Sequence, residues 1–300
     1  MRIDPNFVQG LVGAVDQAQA NEQTYTNEIS TGVSVNSLSD NPVAAAQDYL
    51  LRSEISVNDS FVQSASTMES QMQVTDTALA GVVTQLNSAI SLATEGNNGT
   101  LNASDVQSIS TQLSGILDEV VSLANSSYQG QYLFGGSQTQ TPPFSLNTGT
   151  TPATVNYTGD SDVLYSTTPS GQQIQVNLPG NQVFGSGTTG VIAALSQMVS
   201  DFSTGVPSST SVEDAANLTT ALQTVSQQRV VLDNGLNRLQ SNSTYTQSET
   251  TQLQVAQNAE IQADPSTVAT ELSQAETQNT SLLDMIASLD AQPTLFSMLH

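Results

Sequence analysis

The chain has 300 residues, a net charge of −23, and neither cysteine nor tryptophan. Lysine is absent and the four arginines are dispersed, so no basic patch is available for nucleic acid, and an anionic membrane surface would repel the chain. Without cysteine there is no disulfide framework and no cysteine-based metal site, and no segment approaches the ~20 apolar residues of a membrane span. The length allows two or three domains.

Residues 1 to about 30 are predicted to form a helix, because apolar or small residues recur at alternating steps of four and three. Asn21 occupies a polar position on the same face, where a polar residue often sets the register of a helix pair. Gly32 is expected to end the helix. The predicted face comprises Phe7, Leu11, Ala14, Ala18 and Tyr25.

A long helix is predicted to start at Asn41 and Pro42, because Asn is a good N-cap and Pro fits the first helical position. Glycines and asparagines at 96–99 end it, and Asn102 or Ser104 would cap a second helix. We expect the two helices to form an antiparallel hairpin. The apolar stripe of the first helix contains Phe61, Ala65, Met68, Met72, Thr75, Leu79, Val82, Leu86, Ala89 and Ala93, and that of the second contains Val106, Ile109, Leu113, Ile116, Val120 and Leu123.

The composition changes after Tyr128. Residues 135–190 are rich in Gly, Pro, Thr and Asn, and three short segments show the alternation of a half-buried strand. These segments lie at 154–157, 163–165 and 173–178, and turn residues separate them. The pattern predicts a small β-rich insertion.

Helical periodicity returns at Val191 and continues to a break at Asp264 and Pro265. Arg229 lies on the apolar stripe of this second long helix, which contains Leu218, Leu222, Val225, Leu232, Leu236, Leu239 and Leu253.

The last predicted helix carries a strict stripe with a period of 3.5 residues, the spacing that keeps one face against a partner helix. One such stripe contributes too little apolar burial to offset the backbone entropy of its own helix, so it should be ordered only when a partner covers it. The candidate partner within the chain is the N-terminal helix. The stripe comprises Val268, Leu272, Ala275, Asn279, Leu282, Ile286 and Leu289.

These patterns predict a mainly α fold with a β insertion, in which the N- and C-terminal segments form a long antiparallel helical bundle or coiled coil. We expect three parts. Residues 1–40 and 265–300 would form a terminal coiled-coil assembly domain, 41–134 and 191–264 a helical rod, and 135–190 a β-rich outer insertion.

Several motifs resemble the bacterial flagellin family, and the resemblance extends over essentially the whole chain. Residues 29–42, ISTGVSVNSLSDNP, are similar to the turn before the first rod helix of that family. Residues 125–136, NSSYQGQYLFGG, and the segments VNYTGD at 155–160 and QVNLPGNQVF at 175–184 resemble the members that form the junction between hook and filament. Residues 260–264, EIQAD, and the apolar C-terminal tail also match the family.

The resemblance implies a structural protein that joins the hook to the flagellin filament. Its implied partners are flagellin, hook-associated protein 1 on the hook side, further copies of itself in a ring, and a cytosolic export chaperone. It implies an extracellular location after type III export, which fits the short apolar run at 11–15, too short for a cleaved signal peptide. The predicted assembly residues are Phe7, Leu11, Ala14, Ala18, Leu272, Leu282, Ile286, Leu289, Leu295, Phe296 and Leu299.

Two other structural interpretations stay open at this point: a filament-forming flagellin, and an adhesin on a coiled-coil stalk. An enzyme is disfavoured, and no cofactor or metal is expected. The glycine motif at 185–190 lacks the strand and the βαβ unit that a dinucleotide site requires. The adjacent carboxylates at 118–119 and 213–214 point apart on a helix and are interpreted as solvated faces. His300 is the single histidine and is not a credible catalytic base.

Overall fold

The computed structural model describes residues 5–35 and 37–290. Its helices and strands confirm the mainly α fold with a β insertion. The helices are α1 (Pro5–Thr31), α2 (Pro42–Gly96), α3 (Ala103–Ala124), α4 (Gly180–Phe184), α5 (Val191–Phe202), α6 (Ser211–Ile261) and α7 (Pro265–Asp290). The strands are β1 (Ser127–Tyr128), β2 (Gln131–Tyr132), β3 (Phe144–Asn147), β4 (Thr154–Tyr157), β5 (Tyr165–Thr167) and β6 (Gln173–Gln175).

The chain divides into two compact units. The terminal unit comprises Met1–Ser56 and Glu249–His300, and the central unit comprises Val57–Ser248. Helices α2 and α6 each contribute residues to both units. The three-part domain division stays a prediction.

Asparagine side chains cap the N-termini of α2 and α3, as the sequence predicts. The Oδ1 atom of Asn41 accepts hydrogen bonds from the backbone N–H groups of Val43 and Ala44, both at 3.2 Å, and Pro42 is the first residue of α2. Asn102, rather than Ser104, caps α3 by accepting from the backbone N–H of Asp105 at 3.0 Å. These bonds satisfy donors that the first helical turn leaves without a partner.

Helices α2 and α3 form the predicted antiparallel hairpin in the central unit. Gly81 of α2 faces the side chain of Leu123, which lies at the end of α3 away from the loop that joins the two helices. The predicted α2 stripe is buried except at Met68, which is half-buried. On α3 the burial centres on Leu113 and Leu117, so the stripe is turned slightly from the predicted one. Ile116 and Leu123 are half-buried on its border.

Helix α6 runs antiparallel to α2 within the central unit. The Ser211 hydroxyl donates to Asn97 Oδ1 at 2.6 Å at one end, and farther along Arg229 donates to both carboxylate oxygens of Asp76, at 2.8 and 3.1 Å. The predicted stripe from Leu218 to Leu239 is buried or half-buried throughout. Arg229 therefore lies where α6 packs against α2, and its charge is paired with that of Asp76 on α2.

The β insertion consists of antiparallel hairpins whose apolar side chains join the helical core. Strand β4 has the predicted bounds, whereas β5 starts two residues late and β6 ends at Gln175 instead of residue 178. The side chain of Asn177 explains the early end: its Oδ1 accepts from the Leu164 N–H at 2.8 Å and its Nδ2 donates to the Asp162 carbonyl at 3.0 Å, in place of backbone pairing.

Aromatic rings fix the insertion against the helices. Phe134 and Phe184 meet edge to face with ring centroids 5.0 Å apart, and Phe144 lies 5.3 Å from Phe184 and 4.9 Å from Tyr157. Strand β3 and helix α4, which supply two of these rings, were not predicted from the sequence. All three phenylalanines are fully or almost fully buried, so they anchor the insertion to the core of the central unit.

Candidate assembly interface

Helices α1 and α7 pack against each other in an antiparallel pair. Near one end of the pair, the Ala263 N–H donates to the Gly32 carbonyl at 3.0 Å and the Ser34 N–H donates to the Ile261 carbonyl at 2.7 Å. Farther along, Asn279 Nδ2 donates to Glu22 Oε1 at 3.0 Å. Residue numbers therefore increase along one helix as they decrease along the other, so the pair is antiparallel, as the sequence predicts for the terminal segments.

The α7 face that meets α1 is the predicted stripe. Val268 and Ala275 are buried, and four other members are half-buried: Leu272, Asn279, Leu282 and Ile286. Almost every other residue of α7 whose side chain is described is exposed, Glu271 being the exception. The period-3.5 prediction is thus confirmed for these positions. Leu289 lies in α7, but its side chain is outside the described residues, as are Leu295, Phe296 and Leu299.

The predicted α1 face is confirmed except at Ala14. Leu11 and Ala18 are buried and Tyr25 is half-buried as expected, but Ala14 is exposed and Val15 is buried between Leu11 and Ala18. The predicted helix contact at Ala14 is therefore wrong. Val15 buries more apolar area than an alanine could, so it takes that position on the seam. Phe7, one helical turn before Leu11, is 52% exposed.

Polar groups interrupt this seam, as predicted. The Nδ2 atom of Asn279 donates to Glu22 across the seam, whereas Asn21 Oδ1 accepts from Gln17 at 3.0 Å within α1. The side-chain oxygen of Asn279, Oδ1, is buried without a hydrogen bond. Such groups weaken a helix pair while fixing its register.

Like charges also meet in the terminal unit. Burial raises the pKa of Glu28, and the nearby carboxylates of Glu271 and Asp40 raise it further. Repulsion of this kind, together with the polar seam positions, makes the α1–α7 pair weaker than an all-apolar coiled coil of the same length.

Apolar side chains on both helices of the pair are also exposed. On α1 they are Phe7, Val12 and Ile29, and on α7 they are Leu283 and Met285, all between 44% and 52% exposed. The pair therefore carries exposed apolar side chains in addition to those that are buried where its helices meet. Exposed apolar surface is typical of sites that another protein covers.

A second exposed apolar surface lies at the start of α2 and was missed from the sequence. We call it the α2 surface; it comprises Leu38, Val43, Tyr49 and Leu50, which are 66–73% exposed. Leu38, Tyr49 and Leu50 line an open groove of about 670 Å³. The signal was present in the adjacent pair Tyr49-Leu50, which cannot both face one seam, because neighbours on a helix point about 100° apart.

The glycine motif and the paired carboxylates are the remaining sequence motifs in the described part of the chain, and His300 lies outside it. A short helix, α4, precedes the glycine motif at 185–190 instead of the strand that dinucleotide binding requires. Asp118, Glu119 and Glu213 are exposed as predicted, but Asp214 is half-buried, so its assignment to a solvated face is wrong. Within residues 5–35 and 37–290, no group of three or more acidic or histidine side chains is placed to hold a metal ion.

None of the helices in the described part of the chain is long and apolar enough to cross a bilayer.

The chain combines a terminal helix pair with inserted β hairpins, and comparison with known proteins shows that it is similar to flagellar proteins. Residues 11–139 match the family described as the bacterial flagellin N-terminal helical region. The chain is 27% identical over 188 residues to flagellar hook-associated protein 3 of Escherichia coli strain K12, covering 62% of this chain and 57% of that protein. It is 28% identical over 195 residues to flagellar hook-associated protein 3 of Salmonella typhimurium, covering 64% and 59% respectively.

A solved structure shows the same fold. A protein described as a flagellar hook-associated protein from Vibrio parahaemolyticus superposes with a TM-score of 0.66 at 20% identity, covering 74% of this chain and all of that one. The resemblance to the flagellin family, and within it to hook-associated protein 3, is therefore confirmed. The matched region spans somewhat less than three-fifths of each curated relative, and both relatives are named as flagellar components, not as enzymes.

Proposed function

We propose that this chain is a structural protein of the bacterial flagellum that joins the hook to the flagellin filament, and that filament assembly and motility require it. The observation that carries the proposal is the terminal helix pair. Its helices pack against each other within the chain, and both also carry exposed apolar side chains. The named relatives, both flagellar hook-associated proteins 3, supply the biological setting.

The chain would contact different partners on its hook side and on its filament side. On the hook side the partner is hook-associated protein 1, and on the filament side it is flagellin, while copies of this chain fill a ring between them. The exposed apolar side chains of α1 and α7 and the α2 surface would supply the contacts. Burying four side chains such as those of the α2 surface contributes roughly 1.5–3 kcal/mol each at full burial, enough to hold subunits together once several copies meet.

The route to that position is also part of the proposal. The chain would leave the cell through the flagellar type III apparatus without a cleaved signal peptide and act outside the cell. A cytosolic chaperone would hold the C-terminal stripe before export. The weak α1–α7 seam supports this step, because a pair interrupted by Asn279 and opposed carboxylates opens at low cost.

The function is tested in a deletion strain. We expect that strain to build hooks, to lose its filaments and to release unpolymerised flagellin into the medium, and the wild-type chain should restore filaments. Flagellin retained on the cells of the deletion strain would contradict the proposal.

The assembly residues are tested with Leu282, which is half-buried between α7 and α1. Leu282→Asp should abolish incorporation into the flagellum and leave the central unit folded, because Leu282 lies outside that unit. Leu282→Met keeps the volume and should support normal assembly. Normal filaments that contain the Asp variant would refute the assignment.

A filament-forming flagellin is the second candidate, because the matched family region is a flagellin region. Purified chain that extends long filaments from seeds would favour that alternative, whereas short rings or no polymer would favour the junction role.

A further inference from the structure

Asp201 is a buried carboxylate at the end of α5, where the chain turns towards α6. Its side chain is 4% exposed, and Oδ1 accepts a hydrogen bond from Gln197 Nε2 at 3.1 Å. The other oxygen, Oδ2, is buried without a hydrogen-bond partner. The Ser208 N–H donates to the Asp201 carbonyl at 3.1 Å, which closes the turn over this carboxylate. A buried ionised carboxylate with a free oxygen is costly and calls for a proton or a donor.

A second carboxylate lies against it. Asp214, in the first turns of α6, faces Asp201 and is itself held by Asn217, whose Nδ2 donates to Asp214 Oδ1 at 3.1 Å. No arginine of the described residues balances the pair. Arg52 pairs with Asp48, Arg229 with Asp76, and Arg238 donates to the Gln173 carbonyl.

Besides Asp214, the charged side chains nearest along the chain to the start of α6, the start of α3 and the end of α2 are acidic. They are Glu213, Asp105 and Glu95, and all three are exposed. Asp214 is the carboxylate that acts on Asp201. No arginine of the described residues offsets this pair.

Burial raises the pKa of Asp201, and the Asp214 carboxylate raises it further, while the hydrogen bond from Gln197 offsets part of the effect. One proton between the two carboxyl groups relieves both the repulsion and the unmade hydrogen bond.

We propose that Asp201 and Asp214 share one proton and form a pH-sensitive latch that closes the turn between α5 and α6 as the pH falls. The folded chain holds this proton more tightly than the unfolded chain does. The latch therefore contributes its full stability below the pKa of an aspartate in the unfolded chain, about 4. That stability is lost as the pH rises through the higher pKa of Asp201 in the folded chain.

The variant Asp201→Asn tests the latch, because an amide can donate to Asp214 without needing a proton from solution. At pH 7 we expect the variant of the full chain to unfold at a temperature about 2–4 °C above the wild type, a shift typical of one recovered polar contact in a unit of this size. The difference should vanish near pH 4. The control Asp118→Asn removes an exposed carboxylate on α3 and should leave a much smaller difference that varies little with pH.

The proton itself can be observed in the unmodified chain by ¹³C NMR titration of the aspartate carboxyl carbons. We expect the Asp201 signal to titrate above the ordinary range of an exposed aspartate, and Asp214→Asn to move the Asp201 titration to lower pH. An Asp201 signal that titrates once, in the ordinary range of an exposed aspartate, would overturn the proposal. So would an Asp201→Asn variant whose unfolding follows the same pH dependence as the Asp118→Asn control.

Discussion

Gly235 allows α6 to approach the β insertion closely, and replacing it tests the packing of the central unit. A Cβ atom at this buried position would lie 2.7 Å from the carbonyl oxygen of Gln175 and 3.1 Å from the terminal methyl of Met72. The methyl group can move, but the carbonyl belongs to β6, which is paired with β5. The backbone contact is therefore the one that decides the outcome.

The size of the effect follows from two opposing contributions. Glycine to alanine inside a helix ordinarily stabilises by about 1 kcal/mol. Forcing a methyl group against a fixed carbonyl costs about 1–3 kcal/mol. We expect Gly235→Ala to lower the free energy of unfolding by about 1 kcal/mol.

Gly115 is the matched control in the same unit, because no atom lies within 4 Å of a Cβ built on this exposed position of α3. Gly115→Ala should stabilise by about 0.5–1 kcal/mol. Urea unfolding followed by circular dichroism at one protein concentration compares the two variants. If Gly235→Ala stabilises as much as Gly115→Ala, the close approach of α6 to Gln175 is refuted.

The remaining predictions concern single polar contacts. Arg229→Met should cost about 1–2 kcal/mol in urea unfolding, because the half-buried Asp76 loses its cation, and adding Asp76→Leu should recover most of that loss; additive effects would show that the pair is not coupled. Asn102→Ala should cost about 1 kcal/mol by removing the α3 cap, and unchanged stability would contradict that role. Hydrogen bonds, chiefly from the Ser137 hydroxyl, lower the pKa of Asp160, so Ser137→Ala should raise it in a carboxyl NMR titration. Because a lowered pKa stabilises above the unfolded value, the variant should lose less stability than the wild type on acidification.

The sequence predicts the helices well because their stripes are long and regular. On α7 and on α6 up to Leu239, the residues at alternating steps of three and four are those that the structure buries or half-buries. Each such helix has one apolar face, so periodicity alone identifies the side that packs.

Periodicity was insufficient where two faces compete. Helix α1 has Ala14 and Val15 in adjacent positions, and the phase is decided by the larger side chain, which is buried. The α2 surface was missed because its side chains face outward and no seam within the chain uses them. Asp214 was placed on a solvated face because its neighbour Asp201 lies on another helix, a proximity that no local pattern reveals.

We propose that the terminal unit carries the assembly surfaces and that the β insertion faces outward in the flagellum. The chain has no cysteine, so a single introduced thiol reports its own accessibility without interference. Tyr49→Cys lies on the α2 surface, and Thr167→Cys lies at an exposed position of β5. Both thiols should react with a maleimide in the purified protein, where both sites are open to solvent.

The decisive measurement is the same labelling on intact flagella isolated from cells that express each variant. We predict that the thiol at position 49 becomes protected while the thiol at position 167 stays reactive. Equal labelling of the two positions in intact flagella would contradict the assignment of assembly to the terminal unit.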